Sequence, residues 1–131
     1  MRPKKRSQEL SAGEILIMKL IWNAKEDIAV QELIVKMKEQ YDKEYARTTM
    51  VTFLKKMSDK GYVSTYRIGN ASFVHAEKSE DWYKKELINR EKDFWFNGSP
   101  SLLMATALHS EREISKEEIQ RMRELLDELD N

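Results

Sequence analysis

The chain has 131 residues, of which 35% are charged and 40% hydrophobic, and it contains no cysteine. This length predicts one domain or two small ones, and the composition is typical of a folded, water-soluble protein. The lack of cysteine excludes disulfides, thiolate nucleophiles and cysteine-ligated metals. The longest apolar runs, near Ile15–Met18 and Leu102–Ala105, are too short to cross a bilayer, and the basic N-terminus is not followed by a signal-peptide core, so we expect a cytoplasmic protein.

Charge is distributed unevenly along the chain. Residues 1–75 hold 14 basic and 9 acidic side chains, whereas residues 76–131 hold 9 basic and 14 acidic ones. A half with charge +5 joined to a half with charge −5 indicates that one part meets a polyanion and the other does not. The neutral total argues against a protein that binds nucleic acid by charge alone.

The first helix is predicted to begin after Ser11 and to run through Trp22. Ser11 and Glu14 have the spacing of a capping box, in which each side chain accepts a hydrogen bond from the other residue's backbone N–H. Leu10 and Ile15 can form the hydrophobic staple that accompanies it. Since apolar side chains cover most of this helix, we expect it to be largely buried.

A second helix is predicted from about Val30 to Glu39, after a polar connection over residues 23–28. Ala29 is a poor N-cap for it, because alanine has no side-chain acceptor. Its inward side chains would be Leu33, Ile34 and Met37. Together with the next helix it has the form of a helix-turn-helix with a long turn.

The third helix, within residues 46–61, has two contrasting faces. Its apolar stripe is formed by Met50, Phe53, Leu54 and Met57. Its opposite face carries Arg47, Thr48, Thr49, Thr52, Lys55 and Lys56. Gly61 has the position of a C′ glycine that ends the helix. The ordinary interpretation is an amphipathic helix with a solvated polar face, but hydroxyls and cations with almost no acid also suit the DNA major groove.

After this helix, the residue pattern changes to a period of two. Residues 62–67 and 72–76 predict two strands, joined by a turn over residues 68–71 that contains Gly69 and Asn70. A helix-turn-helix followed at once by a hairpin predicts a winged helix, with Arg67 and Asn70 at the wing beside the groove. Tyr66 either faces the DNA backbone or packs within the sheet.

Three more helices are predicted in the remaining fifty or so residues. They begin after Ser79, Ser99 and Ser115, and each of these serines has the position of an N-cap. They carry more apolar surface than so small a unit can cover alone, which predicts a second copy of the chain as partner. The predicted dimerisation residues are Trp82, Leu87, Phe94, Trp95, Leu103, Ile119, Met122, Leu125, Leu126 and Leu129.

The predicted fold class is therefore mainly α with a small β-hairpin: a winged helix-turn-helix followed by a three-helix dimerisation region. Residues 1–9 would be a flexible basic arm, residues 10–77 a DNA-binding domain, and residues 78–131 a helical dimerisation domain. In the arm, Arg2, Lys4, Lys5 and Arg6 either enter a minor groove or remain a solvated tail.

The residues predicted to bind DNA have distinct roles. Thr48, Thr49 and Thr52 would reach base edges or nearby phosphates, while Arg47, Lys55 and Lys56 would neutralise phosphates. Arg67 and Asn70 would contact the flanking backbone from the wing. The predicted DNA-binding residues are therefore Arg47, Thr48, Thr49, Thr52, Lys55, Lys56, Arg67 and Asn70.

Other classes of function find little support. The two histidines, His75 and His109, fall on different predicted elements, and no cluster of metal ligands, phosphate loop or catalytic triad is apparent. We therefore expect neither an enzyme nor a cofactor. The alternative to a DNA-binding protein is a winged-helix adaptor that binds proteins and never contacts DNA.

Several separate blocks of the chain resemble the penicillinase-repressor family (BlaI/MecI/CopY type). Residues 48–57 and 60–63 resemble its recognition-helix signature, and residues 95–98 resemble the junction between its first two dimerisation helices. The first two helices are similar as well, at Leu10-Ser11, Glu14, Met18, Ile21-Trp22, Val30, Glu32 and Leu33. The resemblance spans about residues 8–131 and has the blocks in the right order.

This resemblance implies a homodimeric repressor that binds a pseudo-palindromic operator and regulates β-lactam resistance or a related stress response. In the family, release follows proteolysis triggered by a membrane β-lactam sensor, or metal binding in a copper-responsive branch. The copper branch uses C-terminal cysteines, which this chain lacks. The proteolytic branch is cut between an Asn and a Phe, and the aligned position near Thr106-Ala107 does not preserve that pair.

Overall fold

The computed structural model describes residues 9–131, so all of the predicted basic arm except Glu9 lies outside the described residues. These residues form six helices and a three-stranded antiparallel sheet. In chain order the elements are α1 (Ala12–Asn23), β1 (Ile28–Ala29), α2 (Val30–Tyr41), α3 (Arg47–Asp59), β2 (Val63–Ile68), β3 (Ala71–Ala76), α4 (Glu80–Trp95), α5 (Pro100–Ser110) and α6 (Lys116–Asp130). The predicted class, mainly α with a small β element, is confirmed.

The chain divides into two compact units, one that ends at Glu86 and one formed by Leu87–Asn131. The division falls within α4, so this helix begins in the first unit and ends in the second. The first unit contains the helix-turn-helix and the sheet.

The sheet has the strand order β1-β3-β2. In the β2–β3 hairpin, Val63 pairs with Ala76 and Ile68 with Ala71. The two residues between the strands form the turn, and Gly69 there has a φ of 60°, which glycine adopts without a steric cost. The hairpin is the predicted wing.

The expectation of a purely polar connection over residues 23–28 was wrong at its end. Ile28 belongs to β1, where it pairs with Val74 of β3, and it is buried. Backbone pairing across the chain, rather than local periodicity, makes this two-residue segment a strand. It also joins the wing to the start of α2.

The first unit has one hydrophobic core, to which all three of its complete helices and the sheet contribute. The buried members are Leu10, Ile17, Met18, Leu20, Ile21, Ile28, Val30, Leu33, Met37, Met50, Leu54, Met57, Tyr62, Val63 and Val74. Burial of each large side chain contributes about 1.5–3 kcal/mol relative to exposure. The core therefore fixes the directions in which α3 and the wing present their outer faces.

The local structure predicted at the start of α1 is confirmed. The Ser11 hydroxyl accepts from the Glu14 N–H at 3.3 Å, and Glu14 Oε1 accepts from the Ser11 N–H at 2.7 Å. This is the predicted capping box. It satisfies two backbone donors that would otherwise lack partners at the helix start.

The start of α4 packs against the other elements of the first unit. The Trp22 indole N–H donates to the Lys78 carbonyl at 2.9 Å, and Lys19 forms an ion pair with Glu80. Trp82 is half-buried against the core, with its ring edge-on to Tyr62 at 6.0 Å between centroids. The sequence pattern placed Trp82 among the dimerisation residues, and it did not reveal this packing within the first unit.

The second unit, residues 87–131, contains no fully buried side chain, although every one of its residues is described. Ser99 and Ser115 cap α5 and α6 as predicted, by accepting from the Leu102 and Glu118 N–H groups. The large apolar side chains that stay exposed there are Ile88, Phe94, Trp95, Leu102, Met104, Leu125, Leu126 and Leu129.

Candidate nucleic-acid interface

The inner face of α3 is held firmly by the core. Met50, Leu54 and Met57 are buried, as their spacing predicts. Phe53 is half-buried and lies against the Tyr45 ring at 5.1 Å between centroids. Its ring is so close to Gly13 of α1 that a Cβ there would lie 3.0 Å from Phe53 Cζ. This close contact between α1 and α3 sets the rotation of α3 about its own axis.

The outer face of α3 is open. Every polar α3 residue in the predicted DNA-binding set is exposed: Arg47, Thr48, Thr49, Thr52, Lys55 and Lys56. Arg47, Lys55 and Lys56 form no ion pair with any other residue of the described range 9–131. Their charges are therefore available to an external polyanion.

The N-terminal end of α3 differs from those of α1, α5 and α6. Its N-cap is Ala46, which makes no side-chain hydrogen bond, and its first turn contains no acidic residue. The positive end of the helix dipole is thus neither capped by a side chain nor neutralised by a carboxylate. Such an end favours a bound phosphate, and Arg47 adds to this preference.

One of the α3 hydroxyls is already engaged. Thr52 Oγ1 donates to the Thr48 carbonyl at 2.9 Å. A hydroxyl has a single hydrogen, so Thr52 retains only its acceptor capacity toward an external partner. The Thr48 and Thr49 side chains are exposed without such a bond among the described residues.

The wing carries Arg67 in β2 and Asn70 in the turn, and both are exposed. Ile68, which lies beside them, is exposed as well. The wing and α3 belong to the same compact unit, and α3 leads into β2 through Gly61, whose φ of 85° is that of the predicted C′ glycine.

The base of the wing holds a polar cluster formed by Asp27, Tyr66 and His75. The Tyr66 hydroxyl donates to Asp27 Oδ2 at 2.7 Å, and His75 Nδ1 lies 2.9 Å from Asp27 Oδ1. These hydrogen bonds, that of Tyr66 foremost, lower the pKa of Asp27, and the bond to Asp27 raises the pKa of His75. Tyr66 also stacks on Phe73, so it packs within the sheet.

A buried ion pair joins α1 to the C-terminal end of α3. Glu14 is the only buried charged side chain among residues 9–131, and its Oε1 lies 2.6 Å from Lys60 Nζ. Lys60 also donates to the Glu9 carbonyl at 2.7 Å. Burial tends to raise the pKa of Glu14, but the hydrogen bonds from Lys60 and Ser11 outweigh it and lower that pKa. The sequence showed Glu14 only as part of a capping box, and nothing local pointed to Lys60.

The predicted dimerisation residues do not all lie in one unit. Trp82 lies in the first unit, whereas the other nine, from Leu87 to Leu129, lie in the second. Within α6, the Ile119, Met122, Leu125 and Leu126 stripe is half-buried or exposed.

The family model for the penicillinase repressor matches residues 10–128. Among solved structures, the chain is similar to one titled "Solution structure of the DNA binding domain of the repressor BlaI", with 22% sequence identity and a TM-score of 0.48 over 59% of this chain and 90% of that one. No curated protein gives a significant match.

Within residues 9–131 the structure has no helix long and apolar enough to span a membrane. The family match covers nearly all of the chain, including every residue predicted to bind DNA. The family consists of DNA-binding transcriptional regulators and not of enzymes. The chain therefore belongs to the penicillinase repressor family, and it is a DNA-binding repressor with a winged-helix fold.

Proposed function

We propose that this repressor acts as a homodimer on a pseudo-palindromic operator, with α3 in the major groove and the β2–β3 wing against the flanking backbone. The observation that carries the proposal is the outer face of α3. Three cations without ion-pair partners among the described residues lie there with three exposed threonines, on a helix whose inner face is fixed by the core.

The side chains on this face suit different parts of a duplex. Arg47 and the uncapped start of α3 would hold one phosphate, while Lys55 and Lys56 would neutralise others. Thr48 and Thr49 can donate to or accept from base edges, whereas Thr52 accepts only. Arg67 and Asn70 would bind the backbone beside the groove. The phosphate contacts would set the register of α3, and the threonines would read sequence.

The second unit supports dimerisation. Three amphipathic helices leave Phe94 71% and Leu129 83% exposed, and no side chain in residues 87–131 is fully buried. A set of helices with this much uncovered apolar surface is unstable as a free monomer. A second copy would cover the same surface on both protomers and would pair two winged helices with two half-sites.

Family membership is the only support for a proposal about the biological role. We propose that the repressor acts in the cytoplasm, on genes for β-lactam resistance or a related stress response, and that a membrane sensor-protease system is its upstream partner. Thr106 and Ala107 lie within α5 and do not form the Asn-Phe pair cut in the family's proteolytic branch. We therefore do not propose release by cleavage at that bond.

Selection of duplexes from a random-sequence pool by the full-length protein would test this function. The enriched sequences should form an inverted repeat, and sedimentation of the complex should give two protomers per duplex. A single unrepeated site bound by one protomer would contradict the dimeric arrangement. If no duplex binds even at low salt, DNA binding by this face is excluded and the protein-binding adaptor becomes the better account.

A further inference from the structure

Val51 is an apolar side chain on the outer surface of α3, where its exposed fraction is 49%. On a helix it is a neighbour of Thr48, three residues before it, and of Lys55, four residues after it. Both belong to the proposed DNA-binding face. A single exposed apolar residue is ordinary on a protein surface, so its position between two proposed contacts is the informative feature.

Valine is a poor choice for a solvated helix surface. Its β-branch loses side-chain freedom in a helix, and alanine or a long polar residue would stabilise α3 more. Packing within the described residues does not compensate, because Val51 is neither in the core of the first unit nor packed against it. An external apolar contact would make use of this side chain.

The major groove presents one apolar group, the C5-methyl of thymine. We infer that Val51 contacts thymine methyl groups in the operator, so that α3 prefers thymine at the base pairs that Val51 meets. This inference rests on the proposed placement of α3 in the major groove. It names a specificity-determining residue in addition to the polar set.

The neighbouring Thr52 restricts the base edges that α3 can bind in a different way. Its hydroxyl hydrogen is donated to the Thr48 carbonyl at 2.9 Å, so toward DNA it can only accept. In the major groove adenine and cytosine offer amino hydrogens, whereas guanine offers two acceptors. Thr52 can therefore accept from adenine or cytosine but cannot donate to guanine, and by itself it does not distinguish an A·T pair from a G·C pair.

The experiment uses the full-length protein and a duplex that it enriches from a random-sequence pool. Each thymine is replaced in turn by deoxyuridine, which removes only the C5-methyl, and Kd is measured for the wild type and for Val51→Ala. Val35→Ala is the matched control, because Val35 is a valine of similar exposure (46%) on α2, outside the proposed DNA-binding set.

At one or more thymines of a half-site, deoxyuridine should weaken binding of the wild type and of Val35→Ala about fourfold, the loss expected for about 0.8 kcal/mol per buried methylene-sized group. Val51→Ala should bind the thymine duplex more weakly and should not respond to deoxyuridine at those positions. Since alanine favours the helix more than valine does, α3 should be retained, which circular dichroism verifies.

Two outcomes overturn the inference. In the first, the wild type binds its duplex, but wild type and Val51→Ala respond to deoxyuridine in the same way at every thymine. Val51 then does not contact a thymine methyl, and the proposed function stands. If no duplex is enriched, the proposed function fails and the inference fails with it.

Discussion

The Glu14 carboxylate of α1 lies 2.6 Å from the Lys60 ammonium, the residue that caps the C-terminal end of α3. Glu14 is 1% exposed and Lys60 is largely covered. The same carboxylate also accepts from the Ser11 N–H. One buried acid therefore joins the start of α1 to the C-terminal end of the proposed recognition helix.

Removal of Glu14 or of Lys60 should destabilise the protein, and the two losses of stability should differ in size. Glu14→Gln keeps the size of the side chain and leaves Lys60 free to turn to solvent, so we expect a loss of about 1–3 kcal/mol. Lys60→Met leaves a buried carboxylate without its counter-charge, which should cost about 3–5 kcal/mol. Urea denaturation of the single variants measures both values.

The double variant Glu14→Gln with Lys60→Met distinguishes a coupled pair from two independent side chains. Coupling predicts that the double variant is more stable than Lys60→Met alone, because no buried charge remains unpaired. Additive losses would mean that the pair does not act as a unit.

Glu14 should also make the protein sensitive to acid: its lowered pKa stabilises the fold above the ordinary glutamate pKa of about 4.3, and this contribution is lost as the pH falls through the folded-state value.

The interaction of His75 with Asp27 should stabilise the fold with a pH dependence opposite to that of Glu14. Its pKa is raised by the hydrogen bond to Asp27, so its contribution is complete below the ordinary histidine pKa of about 6.5 and disappears as the pH rises through the folded-state value. An NMR titration of His75 should show a midpoint above the ordinary value in the wild type and a lower one in Asp27→Asn. Equal midpoints in the two proteins would mean that the pair does not persist in solution.

The features that the sequence predicts are those that depend on local spacing. The capping box of Ser11 and Glu14, the buried α3 stripe and the C′ position of Gly61 each involve residues within a few positions of one another. The features that it does not predict join distant segments. Strand β1 exists because Ile28 pairs with Val74, and the Glu14–Lys60 pair spans 46 residues.

The candidate site divides in the same way. The exposed polar face of α3 follows from helical periodicity alone, so all six of its residues could be named from the sequence. The hydrogen bond from Thr52 to Thr48 could not, because a threonine in a helix can also turn its hydroxyl outward. Likewise, the packing of Trp82 within the first unit depends on Tyr62, which is 20 residues away in the sequence.

A charge placed on the apolar stripe of α6 should break the proposed dimer. Leu126→Asp puts a carboxylate where two apolar faces would meet, and we expect a monomer and weaker operator binding together. Gln120→Asp on the opposite side of α6 adds the same charge and is the control. Analytical ultracentrifugation should give a monomer for the first variant and a dimer for the second. A dimer in both would place the interface elsewhere.

The most direct test of α3 as the recognition helix is the salt dependence of operator binding by Lys55→Ala with Lys56→Ala. Each lost phosphate contact lowers the slope of log K against log salt by about 0.9, so a dimer that loses four contacts should lose about 3.6. Lys84→Ala with Lys85→Ala on α4 removes the same charge from exposed lysines outside the proposed site. We expect a reduced slope for the α3 variant and an unchanged one for the α4 variant, whereas an unchanged slope for the α3 variant would contradict the placement of α3 in the major groove.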